Sequence, residues 1–311
     1  MSSVKGIFDW VVKEEAVIVT DSAEYVSHLL RRGVHAENIH DLEILPAKSI
    51  VLSFSKGASK RAFEIAKSSI EKECIFCALH VFESSLSHAD YALSLLAGSD
   101  FYSSLESQKK ILAKLDVVDR FQVFGRGTKG EIILRPGATP YAMILDDVKK
   151  NYIHSVAEFF EVHYAHMSPR EQCPFSFTGR VAVSGVLTVI RNEHWERAAE
   201  LKESLMHLAQ DVAEYEAVLV VINNVVESFS VAGKEYTPLL ALAAGDRGLT
   251  LTEFAVGVNK EICNVIDYGV NSQMNEGVEG IHVAIGDGTT GFHIDFLSPA
   301  VKVIFGGGES A

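Results

Sequence analysis

The sequence predicts an α/β protein in two parts: an N-terminal parallel sheet covered by helices, followed by a β-rich α+β region. In the N-terminal part, apolar strand-like runs alternate with helical patterns, which is typical of a parallel sheet. From residue 120 onward, short runs separated by glycine and proline turns indicate antiparallel sheet. The change of pattern predicts an α/β domain over residues 1–150 and a second domain over residues 151–311.

The N-terminal part contains three predicted strands with amphipathic helices between them. The strands are Ala16–Thr20, Ser49–Phe54 and Cys74–Phe82, and the helices are Glu24–Arg32 and Lys60–Glu71. Asp21 follows the first strand at the place where a dinucleotide-binding protein carries its GxGxxG motif. The sequence therefore predicts no nucleotide site in this part.

The second part is mainly strand-like, with one long predicted helix over Glu193–Tyr215. Asn223–Asn224 separates two apolar runs and predicts a type I′ hairpin turn. Leu251–Val256 is a predicted strand that carries Glu253. Val156–Val162 fits either a strand or a helix, because its apolar residues follow neither period cleanly.

Composition excludes several classes of function. The chain has 311 residues and a net charge of −13, which disfavours binding to a nucleic-acid backbone. No apolar run reaches the roughly 18 residues of a membrane helix, and the N-terminus lacks the features of a signal peptide. Four cysteines without a second CxxC favour a reducing, cytoplasmic location, with Cys74 and Cys77 buried in a strand.

The C-terminal hairpin carries the residues most suited to chemistry. Gly280–Ile285 and Gly291–Leu297 are predicted strands joined by a glycine-rich turn. His293 and Asp295 lie two residues apart and therefore point to one face, which His282 on the paired strand can share. Two imidazoles and a carboxylate suit Zn, Mn or Fe(II). The alternative is a plain hairpin with a hydrogen-bonded histidine and an exposed aspartate.

Four ordered motifs in the second part resemble those of the aminopeptidase T family of metallopeptidases, whose fold is shared by the iron-dependent dihydroxypyridine dioxygenases. The matching segments are Val156–Phe160 (VAEFF), Glu253–Asn259 (EFAVGVN), His282–Gly286 (HVAIG) and His293–Asp295 (HID). The resemblance implies a fold like the metal domain of that family and a site for a divalent metal, zinc or alternatively iron. The implied ligands are Glu158, Glu253, His282, His293 and Asp295. His163, close to the first motif, is predicted to be an ordinary exposed or hydrogen-bonded histidine.

Three departures from the family pattern point away from turnover. Ala157 stands where the family has a glycine before its first glutamate. Only ten residues separate His282 from His293, and they lack the tyrosine of the longer family loop. The chain is also shorter than family members. Because the sequence keeps the implied metal ligands but lacks the family's loop over the site, we predict that the protein binds a ligand without catalysing a reaction.

The truncation is similar to that of the peptide-binding proteins of crocagin biosynthesis, which hold a ribosomal precursor peptide while partner enzymes modify it. This resemblance implies a peptide-binding accessory protein whose partners are a precursor peptide and its modifying enzymes. An active metal-dependent aminopeptidase and a mononuclear iron oxygenase are the alternatives. Pairing of family members through the second domain implies a homodimer.

Overall fold

Three β-sheets organise the part of the chain that the computed structural model describes, namely residues 9–12, 15–70, 72–148, 152–192, 194–305 and 309–310. The strands are β1 Val17–Thr20, β2 Ala36–Asn38, β3 Lys48–Leu52, β4 Glu73–Cys77, β5 Arg120–Gly125, β6 Thr128–Leu134, β7 Tyr152–Ser155, β8 Glu161–Ala165, β9 Phe175–Val183, β10 Gly185–Val189, β11 Ala217–Ile222, β12 Val225–Val231, β13 Lys234–Glu235, β14 Leu251–Gly257, β15 Gly280–Ile285, β16 His293–Pro299, β17 Lys302–Phe305 and β18 Glu309–Ser310. The α-helices are α1 Asp9–Val12, α2 Ala23–Arg31, α3 Lys56–Ala66, α4 Leu86–Gly98, α5 Phe101–Leu115, α6 Ala198–Glu214 and α7 Thr237–Ala243.

The N-terminal sheet is parallel and has the order β2-β1-β3-β4-β7. Its central strands are apolar on both faces, as in Ile50, Val51 and Leu52 of β3, because helices cover both sides. The helices begin at side-chain caps: Ser22 accepts a hydrogen bond from the backbone of α2, and Ser55 does the same for α3. The parallel α/β part is confirmed.

The second part consists of two antiparallel sheets packed face to face. One has eight strands in the order β13-β12-β11-β9-β6-β5-β17-β18, and the other has five in the order β10-β16-β15-β14-β8. Aromatic side chains fill the space between them, with Phe254 against Phe121 and Phe177, and Phe296 against Phe229. The fold class expected from sequence, including the β-rich second part, is therefore confirmed.

The strands near residue 150 do not follow the predicted division of the chain into two parts. β5 and β6 precede that point but pair with β17 and β9 of the eight-stranded sheet, whereas β7 follows it and completes the parallel sheet. Residues 149–151, where the predicted division falls, lie outside the described residues. The division into residues 1–150 and 151–311 stays a prediction.

Two local predictions can be compared with the backbone directly. Asn223 and Asn224 have φ values of 50° and 67°, as a type I′ turn between β11 and β12 requires. Cys74 and Cys77 are free thiols buried in β4, in agreement with their expected place in a strand. Among the described residues, no helix is both long and apolar enough to cross a membrane.

Candidate metal and ligand site

The five-stranded antiparallel sheet, with the order β10-β16-β15-β14-β8, has one apolar face and one face that carries ionisable side chains. Residues such as Val162, Phe254 and Phe296 point into the core between the two antiparallel sheets. Strand side chains alternate, so the residues between these positions point to the opposite face. That face carries Glu161 and His163 of β8, Glu253 of β14, His282 of β15, and His293 and Asp295 of β16.

These side chains form one network of close contacts, centred on Glu253. His282 Nε2 lies 3.5 Å from Glu253 Oε1, and His293 Nε2 lies 3.7 Å from Glu253 Oε2. A single carboxylate thus stands between two imidazoles. His293 Nε2 is also 3.2 Å from Asp295 Oδ1, and His282 Nε2 is 3.5 Å from Glu161 Oε2.

His163 joins the network from the edge strand. Its Nδ1 lies 3.3 Å from Glu161 Oε1. Ligand atoms of Glu161, His163 and Glu253 all lie within 4.8 Å of one another, which is close enough to hold one cation. The ring of Tyr141 stacks on His163 with 5.2 Å between the ring centroids.

The backbone of the β15–β16 turn orients His293. Its Nδ1 donates a hydrogen bond to the Gly286 carbonyl at 3.1 Å, which leaves Nε2 directed at the carboxylates. Gly286 has a φ of +76°, and a Cβ built there would overlap the Phe292 carbonyl oxygen. The tight turn therefore requires glycine and fixes the imidazole in the orientation that a metal-binding histidine adopts.

The network strongly perturbs its own protonation. Burial is the largest single influence on the pKa of His293 and lowers it, but the charge and hydrogen bond of Asp295, together with the charge of Glu253 and the contact with the Gly286 backbone, outweigh burial and raise the pKa to about 9. The pKa of His163 is likewise raised to about 9, because its contacts with Glu161 outweigh burial. Burial raises the pKa of Glu253, but its hydrogen bond with His282 and the nearby imidazoles outweigh burial and lower the pKa to about 2. Protonated histidines therefore neutralise part of the charge of the carboxylates in this cluster, and a bound metal cation can do the same.

The chemistry of the donor set fits a divalent metal. Glu161, Glu253, His282, His293 and Asp295 are only 1–8% exposed, so water neutralises little of their charge. Glu161 Oε2 and Asp295 Oδ2 are buried and have no hydrogen-bond partner among the described residues. Buried carboxylate oxygens without a donor are costly unless a ligand completes them. Imidazole and carboxylate together suit zinc or iron.

Four of the five ligands expected from sequence lie in this network, and Glu158 lies apart from their ion pairs. Glu158 sits on a 3-10 helix over Val156–Phe159, and its Oε2 pairs with His154 Nδ1 at 3.2 Å. Glu161, three residues later, supplies the carboxylate from this segment. The ambiguous run is helical at its start and a strand at its end, so the strand period counted back from His163 selects Glu161.

The network lies in a cavity of about 1130 Å³ bounded by both parts of the molecule. From the antiparallel sheet, Glu161, His163, Glu253, His293 and Asp295 form what we call the floor. The opposite side is formed by the residues after β3 and β4, including Lys56 and His80, and by helix α6. The volume exceeds the roughly 300–1,000 Å³ of ordinary small-molecule sites.

Comparison with known proteins gives both a family and a fold. The model of the family described as crocagin biosynthetic protein CgnE/B matches residues 13–306. The structure of wild-type AmpT from Thermus thermophilus is similar over 99% of this chain and 98% of its own, with 13% identity and a TM-score of 0.50. That of 2,5-dihydroxypyridine dioxygenase from Pseudomonas putida KT2440 is similar over 98% and 94%, with 10% identity and a TM-score of 0.49. No curated protein matches the chain significantly. At 13% identity, the likeness to AmpT shows a shared fold that includes both parts of the chain.

Proposed function

Because the chain belongs to the crocagin biosynthetic protein CgnE/B family, we propose that it is an accessory protein that binds an extended peptide in the cavity. The peptide is a ribosomal precursor, and the protein presents it to the enzymes that modify it. The observation that carries this proposal is the open cavity of about 1130 Å³ above the ionisable floor. A space of this size, with walls from two parts of the molecule, accommodates several residues of an extended chain.

The edge of the five-stranded antiparallel sheet favours a peptide that lies in the cavity over a peptide that adds to the sheet as a further strand. β10 is an edge strand and borders the cavity. At Thr188 the edge is already occupied: the backbone N–H donates to Asn271 Oδ1 at 3.0 Å, and Asn271 Nδ2 donates to the carbonyl at 2.9 Å. The carboxamide thus takes the place that the backbone of an added strand would need.

We include a divalent metal, zinc or alternatively iron, in the proposal. Glu161, His163, Glu253, His282, His293 and Asp295 are the residues that would hold it. When bound, such an ion acts as a Lewis acid toward carbonyl oxygens. The protein itself contributes a buried floor of paired carboxylates and imidazoles, in which His293 is held in a fixed orientation, and this floor can orient the polar backbone of a bound peptide.

A second candidate function is an active metal-dependent aminopeptidase. The observation that favours it is the network around Glu253, which brings together carboxylates and imidazoles of the kind used in hydrolytic metal sites. Against it stands the short β15–β16 turn, which contains no tyrosine.

Calorimetry with the precursor peptide encoded beside the gene tests the proposal. We expect micromolar affinity, about −8 kcal/mol, because ordering a flexible peptide offsets much of the contact energy. Binding weaker than about 1 mM, or roughly −4 kcal/mol, would rule the proposal out.

Incubation of the protein with short peptides and added zinc, cobalt or manganese tests the second candidate function, and we expect little hydrolysis. Robust release of N-terminal residues that is lost in Glu253→Ala would establish the peptidase instead.

A further inference from the structure

Three basic residues also line the cavity, next to the floor. Lys56 and Lys60 both line it from the start of α3, where their spacing of four residues places them on one face of the helix. Arg191 lines it from the segment that follows β10. We call these three residues the cationic wall.

The protein neutralises the cationic wall only in part, through the charge of Arg191, which acts to lower the pKa of the cavity residue Glu276. All three side chains belong to exposed residues, and within the part of the chain that the structure describes none of them forms an ion pair. By contrast, Lys202 of α6 also lines the cavity but lies 3.7 Å from Glu83. Unpaired cations are notable in a chain with 28 basic and 41 acidic residues, where carboxylates are in excess.

Backbone geometry holds the wall in place beside the floor. The Arg191 N–H donates to the Gly288 carbonyl at 2.7 Å, which ties this arginine to the β15–β16 turn that orients His293. Lys56 is the first residue of α3, so the positive end of the helix dipole adds to its charge. The cavity therefore has carboxylates paired with imidazoles on the floor and cations without a salt-bridge partner on the wall.

We infer that the cationic wall binds carboxylate groups of the peptide, a conclusion that rests on the proposed function. The carboxylate is either the C-terminal α-carboxylate or an Asp or Glu side chain. The planar guanidinium of Arg191 can hold a carboxylate through two parallel hydrogen bonds, while the two lysines act as flexible point charges. The carboxylates of the floor are already paired with imidazoles, so the unpaired cations of the wall are the groups that remain to orient a peptide carboxylate in the cavity.

The test compares Lys56→Gln, Lys60→Gln and Arg191→Gln, combined in one variant, with a matched control. The control is Lys109→Gln, Lys110→Gln and Lys129→Gln, which removes three exposed cations that do not line the cavity. Both variants lose the same charge, and thermal unfolding checks that both are folded. The peptide encoded beside the gene should bind the wall variant about 10-fold more weakly, as expected for three partly exposed ion pairs, and the control within 2-fold of the wild type.

Three forms of that peptide distinguish the two sources of carboxylate. They are the free acid, the C-terminal amide, and a version with Asn and Gln in place of Asp and Glu. Weaker binding of the amide assigns the wall to the α-carboxylate, and weaker binding of the neutral version assigns it to side chains. If the wild type binds all three alike, or the wall variant binds like the control, the inference is wrong while the proposed function stands.

A second probe separates failure of the inference from failure of the proposed function. Two pools of short synthetic peptides, one with Asp and Glu and one with Asn and Gln at the same positions, are selected on purified protein. If the precursor does not bind but the wild type enriches the acidic pool and the wall variant does not, the wall binds carboxylates and the precursor role falls. If neither probe binds, both proposals fail.

Discussion

The parallel sheet and the five-stranded antiparallel sheet both carry polar side chains near the cavity, but the hydrogen bonding of these side chains differs. At the carboxyl edge of the parallel sheet, Asp21 Oδ1 accepts a hydrogen bond from the Phe54 N–H at 2.8 Å, and Ser53 Oγ lies 2.9 Å from His80 Nδ1. On the antiparallel sheet, Glu161 Oε2 and Asp295 Oδ2 have no hydrogen-bond partner among the described residues.

This difference separates scaffold from binding surface. Open parallel sheets usually bind ligands beyond the carboxyl ends of their strands. In this protein the polar groups at that edge mostly hydrogen-bond to one another and stabilise the loops, while exposed cations reach into the cavity from the helix that follows. The carboxylate oxygens without a hydrogen bond lie on the neighbouring antiparallel sheet. A ligand is therefore expected to bind these oxygens and to leave the hydrogen bonds at the edge of the parallel sheet unchanged.

The largest effect should come from Glu253→Gln, because this carboxylate lies between His282 and His293. We expect the affinity for zinc or iron to fall by at least about 100-fold, since loss of even an outer-shell partner costs 10- to 100-fold. Metal content after dialysis and calorimetric titration measure it.

Glu158→Gln is the matched control for this prediction, because the sequence resemblance selects Glu158 while its contact is with His154. Its metal affinity should stay within a few-fold of the wild type. An equal loss in both variants would mean that the metal is held by a different arrangement from the network around Glu253.

The next effect should appear at the carboxyl edge of the parallel sheet, in Asp21→Ala. This change leaves the Phe54 N–H without its charged acceptor, and we expect a loss of about 2 kcal/mol in the free energy of unfolding. Metal affinity should not change. A loss of metal or peptide affinity in a folded Asp21→Ala variant would break the distinction between the two sheets.

Features of the fold and the site that depend on residues close together in sequence could be predicted, whereas features that depend on distant segments could not. The two-residue period of the C-terminal hairpin correctly places His282, His293 and Asp295 on one face, because strand alternation is a local rule. Their role as metal ligands stays a prediction. The pairing of β5 with β17 joins segments far apart in sequence, and no local pattern specifies it.

Glu161 and His163 show a different limit. The run from Val156 to Val162 changes from a 3-10 helix to a strand within a few residues, so neither period covers it. The motif resemblance therefore selects Glu158 in the helical portion, and Glu161 becomes identifiable only once the start of β8 is known.

A smaller effect, of opposite sign, is expected for Glu276→Gln. Glu276 lines the cavity, and burial together with Asp295, Glu161 and Glu253 raises its pKa well above its ordinary value of 4.5. The folded protein keeps a proton that the unfolded chain releases, so stability falls as pH rises from 4.5 toward the folded pKa. At neutral pH the variant should be more stable than the wild type by more than about 1 kcal/mol. The gain should vanish below pH 4.5; a gain independent of pH would contradict this origin.

The smallest effect should be that of Asn271→Ala, which uncovers the N–H and C=O of Thr188 at the edge of β10. Two hydrogen bonds are lost, but water in the open cavity replaces them, so we expect a loss of about 1 kcal/mol in the free energy of unfolding. If the peptide lies in the groove, its affinity should be unchanged within about 2-fold, or about 0.4 kcal/mol. If it binds by adding a strand to β10, removal of the competing carboxamide should instead strengthen binding. Calorimetry with the same precursor peptide on the wild type and on Asn271→Ala therefore decides between the two modes, and tighter binding to the variant would contradict binding in the groove.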